Sequence, residues 1–301
     1  MNNKQSLTFA LLIIVIIFLV ELVGGFISNS LALLSDAGHM LTDTMALALA
    51  LAATIFAARP ASKQKTYGFY RLEILSALGN GVLLALISLY IFYQAYERFL
   101  HPASVQSTIM LAVAVIGLLA NVAAALILSK STGENLNVRG AFLHVVSDLA
   151  SSVGVIIGGL LIYLFGWNFI DPVLGIMIGL LILRGALLLV SDSVNILLEG
   201  TPKGVNTLDV AKSIMSVAGV TALHDLHVWT ISSGINAISA HIVIRDDAAG
   251  RAAAILKEIC VLMDAKYKIK HCTFQTECDS CPAGLICQVE PAEKDGHGHH
   301  H

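Results

Sequence analysis

The sequence predicts an α-helical membrane protein with six transmembrane helices and a C-terminal cytoplasmic α+β domain. Two features of composition carry that prediction. The 301-residue chain is 56% hydrophobic and only 13% charged, with a mean hydropathy of +0.78, whereas soluble domains carry about 25% charged residues. The deficit is also concentrated: long apolar blocks follow one another from Leu7 to Leu198, while the chain from Thr201 onward reads like a water-soluble domain. A bilayer core needs about 20 apolar residues per helix, and several blocks reach that length.

The spans are predicted in order over Leu7–Ile27, Leu31–Ala58, Leu72–Leu100, Val105–Ser129, Val138–Phe165 and Pro172–Leu198, forming a transmembrane domain of residues 1–200. Turn-forming residues separate them: Ser28-Asn29-Ser30, Arg59-Pro60, His101-Pro102, Ser131-Thr132-Gly133 and Asp171-Pro172. The first block has no small-residue cleavage site and leads into further spans, so it reads as a retained helix rather than a signal peptide. Lys4, Arg59, Lys63, Lys65, Arg71, Lys130, Arg139 and Lys203 fall on one side of the membrane, against Arg98 alone on the other. The positive-inside rule then puts both termini in the cytoplasm.

Residues 201–290 change rhythm. Val205–Val217 reads as a helix, Ala222–Ile231 and Ile235–Ile244 as strands, Ala248–Met263 as a second helix and Ile269–Glu277 as a last strand. This αββαβ order is that of a metallochaperone-like, open-faced sandwich, a size that often gains support by dimerising. Residues 291–301, ending in Gly296-His297-Gly298-His299-His300-His301, are a flexible His-rich tail or a tag and take no part in the fold argument.

Composition also excludes some functions. A net charge of −3 and a pI near 6.4 provide no basic surface for nucleic acid. The five cysteines, Cys260, Cys272, Cys278, Cys281 and Cys287, all follow the last apolar block. An odd, clustered set is a poor disulfide framework and fits metal binding or reduced thiols. Cys278-x-x-Cys281 has metal-ligand spacing, but one such pair supplies half of a closed zinc site, so a metal site and free thiols on a mobile tail both remain open.

The second and fifth spans carry near-copies of one pattern. His39 and Asp43 lie in Ser35-Asp36-Ala37-Gly38-His39-Met40-Leu41-Thr42-Asp43, and His144 and Asp148 in Ala141-Phe142-Leu143-His144-Val145-Val146-Ser147-Asp148. A helix puts residues i and i+4 on one face, one turn apart. Two such helices side by side offer two imidazoles and two carboxylates around one point, a donor set that tetrahedral Zn²⁺ accepts. One isolated charge at the centre of a spanning helix costs about 2.5–3.5 kcal/mol on insertion scales. Two carboxylates around a dication are neutral in sum. Without metal, protons take the cation's place, so metal and proton binding are linked. Glu21, Asp36, Asn80, Asn121 and Arg184 also lie within apolar blocks. Asp36, one turn before His39, is placed to relay protons or orient a ligand. The amides suit interhelical hydrogen bonds.

With these residues in view, the chain resembles the cation diffusion facilitator family, in its zinc-transporter branch. The likeness runs from Glu21 to about Glu277. It rests on Ser30-Leu31-Ala32-Leu33-Leu34-Ser35-Asp36-Ala37-Gly38-His39, Tyr67-Gly68-Phe69-Tyr70-Arg71-Leu72-Glu73, Asn135-Leu136-Asn137-Val138-Arg139, Glu199-Gly200-Thr201-Pro202 and His224-Asp225-Leu226-His227-Val228-Trp229. The resemblance implies a proton-coupled zinc efflux transporter working by alternating access, as a homodimer in a bacterial inner (plasma) membrane. It implies that His39, Asp43, His144 and Asp148 hold the transported ion. It further implies a structural or regulatory Zn²⁺ at His224, His241, His271 and Glu277 in the tail, with His227 a weaker candidate, and a charge pair between Arg71 and Glu199 near the dimer interface. His271 is followed by Cys272-Thr273 where some members have an acidic residue, which leaves the carboxylate to Glu277. The loop between spans four and five, Lys130–Asn137, lacks the His-rich run of many members.

Two other classes compete. An intramembrane metallohydrolase would use the quartet to activate water, but the chain contains no HExxH, and four protein ligands leave no open position for water. A membrane-anchored metal sensor would work through its tail, and its anchor would not need His and Asp in two spans.

Overall fold

Inside a bilayer, backbone N–H and C=O groups have no water to bond, so a spanning segment must satisfy them within itself as a helix. The computed structural model follows that rule. It describes residues 3–41, 44–45, 63–129, 136–277 and 285, in two compact units, Met1–Ser193 and Val194–His301. The first unit consists of α1 (Asn3–Ser28), α2 (described over residues 31–41 and 44–45), α3 (Arg71–Leu100), α4 (Ser107–Ser129), α5 (Leu136–Phe165) and most of α6 (Ile170–Leu197). Among the described residues, Arg71–Leu100, Ser107–Leu126 and Ile170–Leu197 are long and apolar enough to cross a membrane, and Leu12–Ser28 and Ser151–Phe165 are shorter apolar stretches. Large apolar side chains such as Leu119 and Leu181 point outward, 63% and 69% exposed. A water-soluble helix would bury that face.

Lipid tails are as apolar as leucine, so close packing and polar ties, rather than escape from water, hold such helices together. α2 sits at the centre of both. Its Leu31 packs with Leu84 and Ile91 of α3 and Ile182 of α6, while its Ala32 and Leu33 pack with Met110 of α4 and Val155 of α5. The first turn of α2 is fixed by one carboxylate. Asp171, at the start of α6 and fully buried, accepts from Ser30 Oγ (2.6 Å), Leu31 N (2.7 Å), Ala32 N (3.1 Å) and Arg98 Nη1 of α3 (2.8 Å). A carboxylate at a helix N-terminus satisfies orphan N–H groups and complements the helix dipole. Arg98 also donates to the Asn29 carbonyl (2.7 Å) and Oδ1 (2.9 Å). One cluster thus ties α2, α3 and α6 at a single end.

The second unit holds α7 (Thr207–Met215), β1 (Val220–Ser232), β2 (Ile235–Ile244), a 3-10 turn (Asp246–Arg251), α8 (Ala252–Tyr267) and β3 (Ile269–Glu277). Asn206 caps α7 by accepting from Leu208 N at 2.9 Å. This helix is shorter than the Val205–Val217 expectation at both ends. The second helix starts at Ala252 rather than Ala248, because a 3-10 turn occupies the intervening residues, and it runs on to a left-handed stop at Lys268. β2 is central, antiparallel to β1 and parallel to β3. Gly234, at φ 74°, makes the tight turn between β1 and β2. Val210 and Ile214 of α7, and Ile255, Ile259 and Met263 of α8, pack with Ile238, Ala240 and Ile242 of β2. Side chains alternate across a strand, so His241 lies on the sheet face away from the helices.

Candidate metal centres

The first centre lies where α2 meets α5. His39 Nε2 is 3.6 Å from Asp148 Oδ1, with the His39 side chain 34% exposed and that of Asp148 6%. The two residues come from different copies of the repeated pattern. A second tie between the same helices lies beside it: Ser151 Oγ donates to Asp36 Oδ1 at 2.6 Å, and Asp36 is buried. Asp43 lies outside the described residues. His144 lies on α5 one turn before Asp148, with its side chain outside the description.

Glu21 of α1 is fully buried beside this group, with Oε2 unpartnered. Gly117 of α4 makes its room, since any side chain there would collide with Glu21 Oε1. Asn121, one turn further along α4, reaches Ser152 Oγ at 3.5 Å. The aspartates, the glutamate and the imidazole thus make a polar centre inside an otherwise apolar bundle.

The second centre is on the exposed face of the tail sheet. His224 faces His241 across the β1–β2 pair, with ring centroids 5.0 Å apart. Glu277 at the end of β3 lies between them, its Oε2 at 2.9 Å from His224 Nε2 and its Oε1 at 2.9 Å from His241 Nδ1. All three ligand atoms lie within 4.8 Å of one another. Zinc–nitrogen and zinc–oxygen bonds are about 2.0–2.2 Å long, so one ion can reach all three after small adjustments. The donor chemistry fits as well, with two borderline nitrogens and one carboxylate that is already ionised. The His224 hydrogen bond, with the His241 ring beside it, holds the Glu277 carboxyl below its ordinary value of 4.5. His224 Nδ1 is buried without a partner, so this ring is held by what its Nε2 meets.

The structure does not bring His271 to this group. It stands on the same strand as Glu277 but opposite Ala237, whereas Gln275 stands opposite His241. Six steps along the strand separate it from Glu277, roughly 20 Å. Asp225 takes part instead: its Oδ1 is 2.9 Å from His227 Nε2 and its Oδ2 is 3.8 Å from His241 Nε2. Sequence reasoning passed over Asp225, and it passed over the Asp171–Arg98 tie in the bundle. A signal existed for the latter, since the charge pattern of the sequence predicts Arg98 to be a lone cation on its side of the membrane, in need of a partner there. Cys278, Cys281 and Cys287 lie outside the described residues. Cys260 and Cys272 are free thiols, half-buried on α8 and β3.

The cation efflux transmembrane domain matches residues 7–198, and the cytoplasmic domain of cation efflux proteins matches residues 202–278. The "Cadmium, cobalt and zinc/H(+)-K(+) antiporter" of Bacillus subtilis (strain 168) is 42% identical, over 99% of this chain and 97% of its own length. The metal cation efflux system protein CzcD of Cupriavidus metallidurans is 43% identical over 97% and 93%, and the zinc transporter ZitB of Escherichia coli (strain K12) is 41% identical over 100% and 95%. A solved metal-bound C-terminal domain of a CzcD transporter matches 24% of this chain and 99% of its own, at 34% identity and a TM-score of 0.23. With both family domains covering nearly its whole length, the chain belongs to the cation efflux family, whose members are transporters and not enzymes.

Proposed function

We propose that this protein is a six-span, proton-coupled antiporter that exports divalent metal, zinc foremost, from the cytoplasm. The observation that carries the reading is His39 facing Asp148 across two helices at 3.6 Å. A histidine and an aspartate held together in a bilayer need either a cation or protons between them. His39, Asp43, His144 and Asp148 form the transport site. A metal ion arriving there displaces protons from imidazole and carboxylate, and protons returning from the other side displace the metal. Alternating exposure of the site to the two sides turns that exchange into antiport. The relatives' names, which include zinc transport and H⁺ antiport, support the same reading.

The chain works as a homodimer in a bacterial inner membrane with both termini cytoplasmic, and the tail centre of His224, His241 and Glu277 takes a regulatory zinc ion. Arg71, opening α3, and Glu199, in a left-handed stop after α6 (φ 60°), are the charge pair of this reading, a pivot near the dimer interface that keeps the two bundles of the dimer splayed.

The test is metal uptake into inverted, sealed vesicles under an imposed proton gradient, with zinc, cadmium, cobalt and nickel compared. Transport predicts uptake that follows the gradient and a pH change that accompanies the metal. A sensor or a hydrolase moves none, so uptake equal to that of protein-free vesicles would overturn the proposal.

A further inference from the structure

Asp225 has a φ of 52°, a conformation that non-glycine residues reach only at a cost and that tends to persist where a function requires it. The other non-glycine residues with positive φ among those described, Asn29, Glu199 and Lys268, each follow the end of a helix, where a left-handed residue is the usual stop. Asp225 sits inside a strand.

The register explains its conformation. His224 stands opposite His241, but His227 stands opposite Ser239. Three steps on β1 therefore match two on β2, and the surplus residue makes a bulge. By simple alternation His224 and His227 would lie on opposite faces. The bulge puts both on the face of His241. The peptide after it is pinned from another direction, since Leu226 N donates to the Leu285 carbonyl at 2.9 Å and Leu285 packs on the domain core.

The outcome is an alternating row of imidazoles and carboxylates: His224, Glu277, His241, Asp225, His227. His241 is the shared member, with Nδ1 toward Glu277 and Nε2 toward Asp225. An ion held by Nδ1 leaves the ring proton on Nε2, and a carboxylate facing that proton fixes both tautomer and ring orientation.

We propose that Asp225 is a positioning residue of the tail metal centre, held by the strained bulge so that His241 presents Nδ1 beside Glu277. It acts through His241 and does not ligate the ion. This rests on reading His224, His241 and Glu277 as a metal site, which a separate variant tests.

The experiment uses the full-length chain in detergent with Asp148→Ala in the background, so that zinc at the transport site does not mask the tail. Zinc binding is titrated calorimetrically, and melting is followed with and without zinc. Glu277→Ala should abolish tail binding; if binding persists unchanged, the site reading itself fails, whatever Asp225 does. Asp225→Asn keeps the shape and tolerates a left-handed backbone, but its neutral amide is a weaker acceptor than the carboxylate. It should weaken zinc binding about 10- to 100-fold, as outer-shell changes do, with unchanged stoichiometry and an unchanged melting temperature without metal. Equal affinity in Asp225→Asn would overturn the proposal. So would a zinc-free melting temperature that falls in step with affinity, which marks a purely structural role, or the loss of one ion per chain, which makes Asp225 a ligand.

Discussion

Asp171→Asn is the sharpest perturbation of the bundle. The native carboxylate is fully buried and takes four hydrogen bonds, two on each oxygen, one of them from Arg98. The amide keeps one oxygen and turns the other into a donor that faces donors. Hydrogen bonds to a charged group contribute about 1.5–3 kcal/mol each, and removing one partner of a buried ion pair costs about 3–5 kcal/mol. Arg98, only 12% exposed at its side chain, keeps the two oxygens of Asn29, so the lower half of that range applies: about 3–4 kcal/mol. For a unit of this size each kcal/mol moves the melting temperature by about 2–4 °C, giving a fall of about 10 °C. The assay is thermal unfolding of purified protein in detergent, with Arg98→Lys as a milder companion that keeps the charge but loses the fork. Transport should fall as well, because the same carboxylate sets the first turn of the helix that carries His39. A melting temperature within about 3 °C of wild type would refute the idea that this cluster anchors α2.

Replacing His39 with Asp hardens the proposed transport site by adding an oxygen donor and a negative charge, so uptake assays should show relaxed preference, with harder ions gaining relative to zinc; an unchanged ion profile places selection elsewhere. Arg71→Glu should impair transport while leaving zinc binding at the proposed quartet intact, and adding Glu199→Arg should restore part of it; full activity in the single variant would remove the proposed pivot. Burial, with the Cys260 thiol beside it, pushes the Cys272 thiol up to about 12, so its proton favours the folded state. That contribution is fully present below the ordinary value of 9.0 and is lost as the pH rises toward 12. Thiolate is the reactive form, so at about pH 8 maleimide should label Cys272 far more slowly in the native protein than in the unfolded chain, as mass spectrometry of the peptides would read; equal rates would contradict this.

Periodicity was enough to locate β2 and β3, whose ends fall at Ile235–Ile244 and Ile269–Glu277 as expected, because alternation and flanking turn residues are local signals. The repeated His-Asp spacing predicted that the two patterns meet, and His39 of one stands 3.6 Å from Asp148 of the other. What local pattern could not supply was register. His271 has the right residue type, but which residue of β2 it faces is decided by the β2–β3 pairing, which puts it opposite Ala237. Asp225 was hidden for a related reason, since a bulge inverts the alternation that strand reading assumes. Asp171 looked like a turn residue before Pro172, and its partners at Ser30 and Leu31 lie 141 and 140 positions away.

The central claim is that one intramembrane centre exchanges metal for protons. Proteoliposomes carrying a zinc-sensitive and a pH-sensitive dye together follow both fluxes in one sample, for wild type and for Asp148→Ala. Asp148 is buried and faces His39, so the account predicts that the variant, still folded by its melting curve, loses zinc flux and zinc-dependent proton flux together. Zinc flux continuing at the wild-type rate in Asp148→Ala, or zinc moving in wild type without a counter-flow of protons, would contradict it.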